Sequence, residues 1–327
     1  MEGSSADGLE CQVVEHFRSA CFGDADYEYE DKRYCILHLP SENKEDNFKK
    51  AVQSKLKRND FGFAGGYFPS GFGGFIGVTF SKRADFGQAT FKRATFFRAT
   101  FKGEANFNET TFSEMPFFNE ATFSEGAYFG GATFSKWANF NKATFSEEAY
   151  FDEATFSKWA YFNETTFKRA IFSRATFSEE AYFNEATFTE VASFVRATFQ
   201  ESARFDALKA FPRTVLVFDA ATIEKPERIS FHTTYLRPSW FVDVDAQEFD
   251  FSDVEWFRIP DASEPNTDQL KPLTLENEIE NLVVVVEGQP EDKTSWSQGS
   301  RTRSLRKLTK ACRRLMNNAE ENRKPRH

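Results

Sequence analysis

The chain has 327 residues and a net charge of −9 from 41 basic and 50 acidic side chains; 41 residues are Phe, against four Cys and four His. No apolar run approaches the ~20 residues that span a bilayer, and the N-terminus MEGSSADGLE lacks the basic start and apolar stretch of a signal peptide. A chain that is not exported keeps its cysteines reduced, so a disulfide scaffold is excluded and a cytoplasmic location is expected.

In residues 1–58 the residues with coordination chemistry are Cys11, Cys21, Cys35 and His38, spaced C-x9-C-x13-C-x2-H. Three thiolates and an imidazole suit tetrahedral zinc, and a closed four-ligand set is structural rather than catalytic. A segment of this size with few large apolar residues gains most from such a staple. Only the Cys35–His38 pair is tightly spaced, so free buried cysteines with an incidental His stand as the alternative. NFKKAVQSKL (47–56) is expected to form a short helix that links this element to the rest of the chain.

Residues 59–79 keep aromatic residues but lose regular spacing and are rich in Gly, as befits an irregular terminal coil. Gly71, Gly73, Gly74 and Gly77 match neither phosphate-loop motif.

From Phe80 to Phe205, 24 phenylalanines recur at thirteen gaps of five and ten of six residues, and the gaps alternate strictly from Phe101 to Phe167. Two positions before the Phe stands Ala in 20 of the 24 cases, the exceptions being Val78, Thr110, Pro116 and Thr165. A helix at 100° per residue gathers these Phe on no single face. In a short strand, Ala and Phe two apart point the same way and the residue between them points out. The intervening Ser-Glu, Lys-Arg, Asn-Glu and Gly-Gly pairs suit corners. The spacing therefore predicts an all-β solenoid with four faces per coil, about six regular coils spaced by ~4.8 Å, and ladders of Phe rings along the axis. The repeat is near neutral, with 15 bases and 17 acids over 80–210.

Residues 206–260 contain blocks such as TVLVFDAATI and RISFHTTYL, punctuated by Pro212, Pro226 and Pro238, and read as irregular coils continuing the rod. Residues 261–300 read as an acidic linker with a short helix near Leu273–Val286 and a flexible Gly288–Ser300. Over 211–300 there are 7 bases and 18 acids, whereas 301–327 carries 10 bases and 2 acids. In that tail Leu305, Leu308, Cys312, Leu315 and Ala319 make one side of a basic amphipathic helix, with Ser304 as a candidate cap. The charge asymmetry predicts that this helix packs on the rod end or its acidic coils, or contacts a membrane or nucleic acid.

The A-x-F-x-x unit, as in Ala89–Arg93 and Ala94–Arg98, resembles the pentapeptide-repeat family, in its Phe-rich branch with alternating five- and six-residue units. The resemblance implies a right-handed quadrilateral β-helix. The CILH step (35–38) is similar to short Cys-Cys-Cys-His elements that precede the repeats in related proteins. Three functional readings compete: a scaffold in which the rigid rod offers flat faces to a protein partner and, as the family resemblance implies, a soluble sensor or regulatory part of a membrane-associated relative or a DNA mimic that binds gyrase. A mimic requires a strongly negative rod, so the near-neutral repeat argues against it and against nucleic acid as a partner. No hydrolase triad or acid–base motif is present. The expectation is a non-enzymatic interaction module without a small-molecule substrate.

Overall fold

The computed structural model describes residues 11, 20–22, 26–210, 214–256, 258–260, 270–272, 278 and 298–322. The repeat forms a four-sided β-solenoid whose short strands pair in parallel with the coils before and after. Each face is a two- or three-residue segment in which Ala and Phe point inward: Ala149, Phe151, Ala154 and Phe156 are wholly buried, and Thr155 between the last two is half-buried.

The predicted ladders are present. Phe118 stacks on Phe140 with centroids 4.8 Å apart and rings 1° from parallel, and Phe134 on Phe156 at 4.7 Å and 1°. These spacings match the coil-to-coil distance of a β-ladder. Columns on different faces meet at the axis edge to face, as Phe118 and Phe129 do at 5.5 Å and 88°, an arrangement that the aromatic quadrupole favours. The column through Phe75, Phe96, Phe118 and Phe140 continues to Phe205, Phe231 and Phe251. The rod therefore has about eight turns, the six regular coils being extended by the Gly-rich segment and by residues 214–256, the irregular coils expected on either side.

The alternation of five and six residues has a backbone cause. At one pair of opposite corners the second residue after Phe is left-handed, with φ between 54° and 59° from Gln88 to Arg196 among the non-Gly residues. There the amide of the following Ala bonds the Phe carbonyl, as in Ala154 to Phe151 at 3.1 Å. This is a type II β-turn, and it takes five residues. The other two corners lack the left-handed residue and usually take six. Where one of them shrinks to five, between Phe167 and Phe172, the ladder to Thr144–Tyr150 shifts register between Phe145 and Glu148. The extra residue is a bulge.

Where Thr replaces Ala inside the rod it stays wholly buried and its hydroxyl donates to the coil before: Thr110 to Phe86 O at 2.7 Å, Thr165 to Phe140 O at 2.8 Å. Corner asparagines add a second ladder, the Asn141 side chain accepting from Asn163 N at 2.8 Å and the Asn163 side chain from Asn184 N at 3.1 Å. Exposed charges pair vertically, Arg98 with Glu120 at 2.7 Å and Arg174 with Glu153 at 2.6 Å. Each such pair contributes little stability, about 0–1 kcal/mol, but together they account for the neutral surface.

Helix α1 (Glu45–Lys57) covers the first coil with Phe48, Ala51, Val52 and Lys55, and Phe48 meets Phe68 edge on at 5.2 Å. A hairpin of Tyr27–Tyr29 and Lys32–Tyr34 precedes it, which the sequence did not suggest.

Helix α2 (Gln298–Asn322) covers the last coils with Ser304, Leu308, Ala311, Leu315 and Asn318. Asn318 Nδ2 donates to the carbonyls of Ala246, Gln247 and Phe249 at 2.6–3.2 Å, and Arg314 to Val244 O at 2.7 Å. The basic tail does meet acidic coils, through Lys307 with Asp243 and Arg314 with Asp245. Ser304 is not the cap: α2 starts earlier, at Gln298, and places Ser304 on its buried side. The expected helix at Leu273–Val286 and the rest of the linker up to residue 297 lie outside the described residues, apart from Leu270–Pro272, a strand antiparallel to Arg258–Pro260, and Glu278, which pairs with Arg237 in a fully buried ion pair.

Candidate functional site: a metal centre and an aromatic face

Cys11, Cys21, Cys35 and His38 converge on one point, with their ligand atoms all within 4.8 Å of one another. A tight turn makes the last pair adjacent: the amides of His38 and Leu39 both bond Cys35 O, at 3.1 and 3.0 Å. From His38 Nδ1 the three sulfurs lie at 3.1 Å (Cys35), 3.5 Å (Cys21) and 3.7 Å (Cys11). For metal–sulfur bonds of about 2.3 Å and metal–nitrogen bonds of about 2.0 Å, a tetrahedron has a sulfur–nitrogen edge of about 3.5 Å. The donor set fits a divalent thiophilic ion, and with no position left for water it fits a structural one.

The surroundings fix the ligands. His38 Nε2 lies 3.0 Å from Ala64 O, so the ring donates there and turns the lone pair of Nδ1 toward the sulfurs. Leu37 O accepts from Tyr67 N at 2.9 Å, which joins the turn to the first strand of the solenoid. The Cys35 amide donates to Cys11 Sγ at 3.2 Å. A separate side-chain hydrogen bond from Cys11 to the Cys35 sulfur holds the Cys35 thiol down to about 3 against the effect of burial, with His38 acting in the same direction. Burial, with the charge of Cys35, pushes Cys21 up to about 11. One thiolate thus organises the metal-free cluster, and Cys21 keeps its proton until a metal displaces it.

Two buried lysines flank the cluster. Lys55 pairs with Asp60 at 2.7 Å. Lys44 donates to Ile36 O and Leu37 O at 2.9 and 3.1 Å, and burial pushes its ammonium down to about 7 against the charges of Cys35 and Glu42. The sequence pointed to the four candidate ligands, which the fold brings together, but not to Lys44 or Ala64, whose contacts depend on the fold.

A second feature lies on the rod. On the face built from Ala138, Ala160, Ala181 and Ala203, the outward residues are Asn139, Tyr161, Tyr182 and Arg204. Tyr161 stacks on Tyr182 at 5.1 Å, and Arg204 lies over Tyr182 at 5.7 Å. At the adjoining corner Trp137 stacks on Trp159 at 5.0 Å, and Trp159 meets Tyr161 edge on. Phe117, one coil before Asn139, is half-buried and follows the exposed Met115. Trp137 remains 45% exposed. Another face carries a shorter stack, Tyr128 on Tyr150 at 5.3 Å, so the Trp and Tyr run is the longest aromatic surface among the described coils. Its signal was legible as a 22-residue spacing from Trp137 to Trp159 and 21 from Tyr161 to Tyr182, the length of a coil.

A family model for pentapeptide repeats, in nine copies, matches residues 96–144, 140–187 and 172–207. A search of curated proteins returned no match.

Proposed function

The solenoid belongs to the pentapeptide-repeat family, and from that premise we propose that the chain is a non-enzymatic scaffold that binds a protein partner along its aromatic face. The observation that carries this reading is the run of Met115, Phe117, Trp137, Trp159, Tyr161 and Tyr182 on one side of a rod whose other faces show mainly Thr, Asn and paired charges. Contiguous apolar surface of this kind marks interaction sites, and Trp, Tyr, Phe, Met and Arg are the residues enriched there. Ring stacking and strand pairing already restrain these side chains, which lowers the ordering cost of binding.

The Cys/His centre supports the same reading as a staple. It ties the N-terminal element to Ala64 and Tyr67 in the first coil and so closes one end of the rod. At the other end, α2 carries an exposed basic side of Arg303, Arg306, Lys310 and Arg313 beside exposed Leu305 and Met316. That side favours a second reading, in which the helix contacts an anionic membrane surface and the chain acts as the soluble regulatory part of a membrane-associated assembly. Among the described residues no helix is long and apolar enough to cross a membrane. The paired charges of the repeat speak against a DNA mimic.

Affinity capture with the full chain tests the scaffold reading. Proteins retained by the wild type and lost with the combined Trp137→Ala, Trp159→Ala and Tyr161→Ala variant support it, provided Thr155→Ala leaves them bound. Identical capture by all three chains overturns it.

A further inference from the structure

Lys44 is 5% exposed, yet among the described residues every group that its ammonium touches is neutral: the carbonyls of Ile36 and Leu37, and the rings of Phe48 and Tyr67 at 4.5 and 5.3 Å. A buried cation without a negative neighbour is strongly unfavourable. The nearby carboxylate, Glu42, accepts from Tyr67 OH at 2.7 Å and from the amide and hydroxyl of Ser70 at 2.9 and 2.7 Å; its charge acts on Lys44 from a distance, and no direct ion pair joins the two among the described residues. The other buried lysine, Lys55, has Asp60. Besides Glu42, the negative charge nearest to Lys44 is the cluster behind the two carbonyls it holds, since these belong to the residues between Cys35 and His38.

The charges agree. Three thiolates and a neutral imidazole around a divalent ion carry a net −1, and one ammonium brings the unit to zero. We propose that Lys44 is the counter-cation of an anionic centre made by Cys11, Cys21, Cys35, His38 and a divalent thiophilic metal ion, and that it also fixes the Cys35–His38 turn that presents two of the ligands. This assignment rests on the metal-centre reading. Lys44 touches neither metal nor ligand atoms, so it is a positioning residue, acting through the turn carbonyls and through its charge.

The two contributions separate by substitution. Lys44→Met removes charge and donors, Lys44→Gln removes the charge but keeps a donor group, and Lys44→Arg keeps both. Zinc affinity of the full chain is read by competition with a chromogenic chelator, and cobalt(II) absorption reports the ligand set. The expected result is weakening of zinc binding by at least about tenfold in Lys44→Met and Lys44→Gln, within the range known for groups that support metal ligands, with most of the loss restored in Lys44→Arg. The sulfur-to-cobalt charge-transfer band and tetrahedral visible bands persist throughout, which shows that the four ligands still assemble. Wild-type affinity in Lys44→Met overturns the proposal, and full restoration by Lys44→Gln overturns its electrostatic part. A wild-type chain that binds neither ion overturns the metal centre itself, a result distinct from an intact centre indifferent to Lys44.

Discussion

His38 faces three sulfurs through Nδ1 and Ala64 O, at 3.0 Å, through Nε2. One imidazole therefore joins the thiol cluster to the first coil of the solenoid. Removing the ion should loosen that joint while leaving the Phe ladders alone. Chelation is expected to expose residues 1–58 to protease while the rod from about Phe80 onward survives as a resistant fragment. Limited proteolysis with mass spectrometry, with and without chelator, reads this directly. An unchanged cleavage pattern would place the cap's stability elsewhere.

The cluster also makes metal binding depend on pH, and the sign follows from Cys21. Burial and Cys35 push its thiol up to about 11, so near neutrality the metal-free protein holds that proton and coordination must release it. Affinity should rise with pH by roughly a factor of ten per unit for each proton released. It should fall as the pH drops. Chelator competition between pH 6 and 8 measures the slope, and a flat profile would mean that Cys21 is not a ligand.

Ala149 and Thr155 separate the inside of the rod from the outside. Ala149 pairs with Ala127 and Ala170 in the coils on either side and is wholly buried, whereas Thr155 is half-buried on an outer face. Ala149→Leu adds volume where neighbouring coils leave none and should destabilise by at least about 1–3 kcal/mol. Thr155→Leu should stay within about 0.5 kcal/mol. Equal thermal shifts would contradict the assignment of faces.

Asn318 closes the far end. Its amide serves the carbonyls of Ala246, Gln247 and Phe249, so Asn318→Leu leaves buried acceptors unpaired and should cost about 1–3 kcal/mol. Hydrogen exchange should localise the effect to residues 242–251 and α2. Uniform loss of protection along the whole rod would mean that the cap and the rod unfold as one unit.

Much of this architecture was legible because the repeat states its geometry twice: Ala and Phe two apart give the inward pair, and their return every 21–22 residues gives the coil. The four ligands were legible as residue types, though the long gaps from Cys11 to Cys21 and from Cys21 to Cys35 carry no geometry until the chain folds. Three features were not. The left-handed corners fall mostly on Glu, Arg and Lys instead of Gly, so no turn motif announced them. Lys44 looks like any solvated lysine ahead of a helix until the turn carbonyls close over it. The segments 59–79 and 206–260 broke the spacing, so they could be read as irregular coils continuing the rod but not counted in turns: about six regular coils were expected, and with these segments the rod has about eight.

The metal content of the purified full chain bears most directly on how the rod is closed. A stapled cap predicts about one tightly held zinc ion per chain in the wild type and none in Cys35→Ser, with cobalt giving a tetrahedral, thiolate-rich spectrum only in the wild type. Protein free of metal in both chains, with no cobalt spectrum and an equally stable N-terminal element, would contradict it.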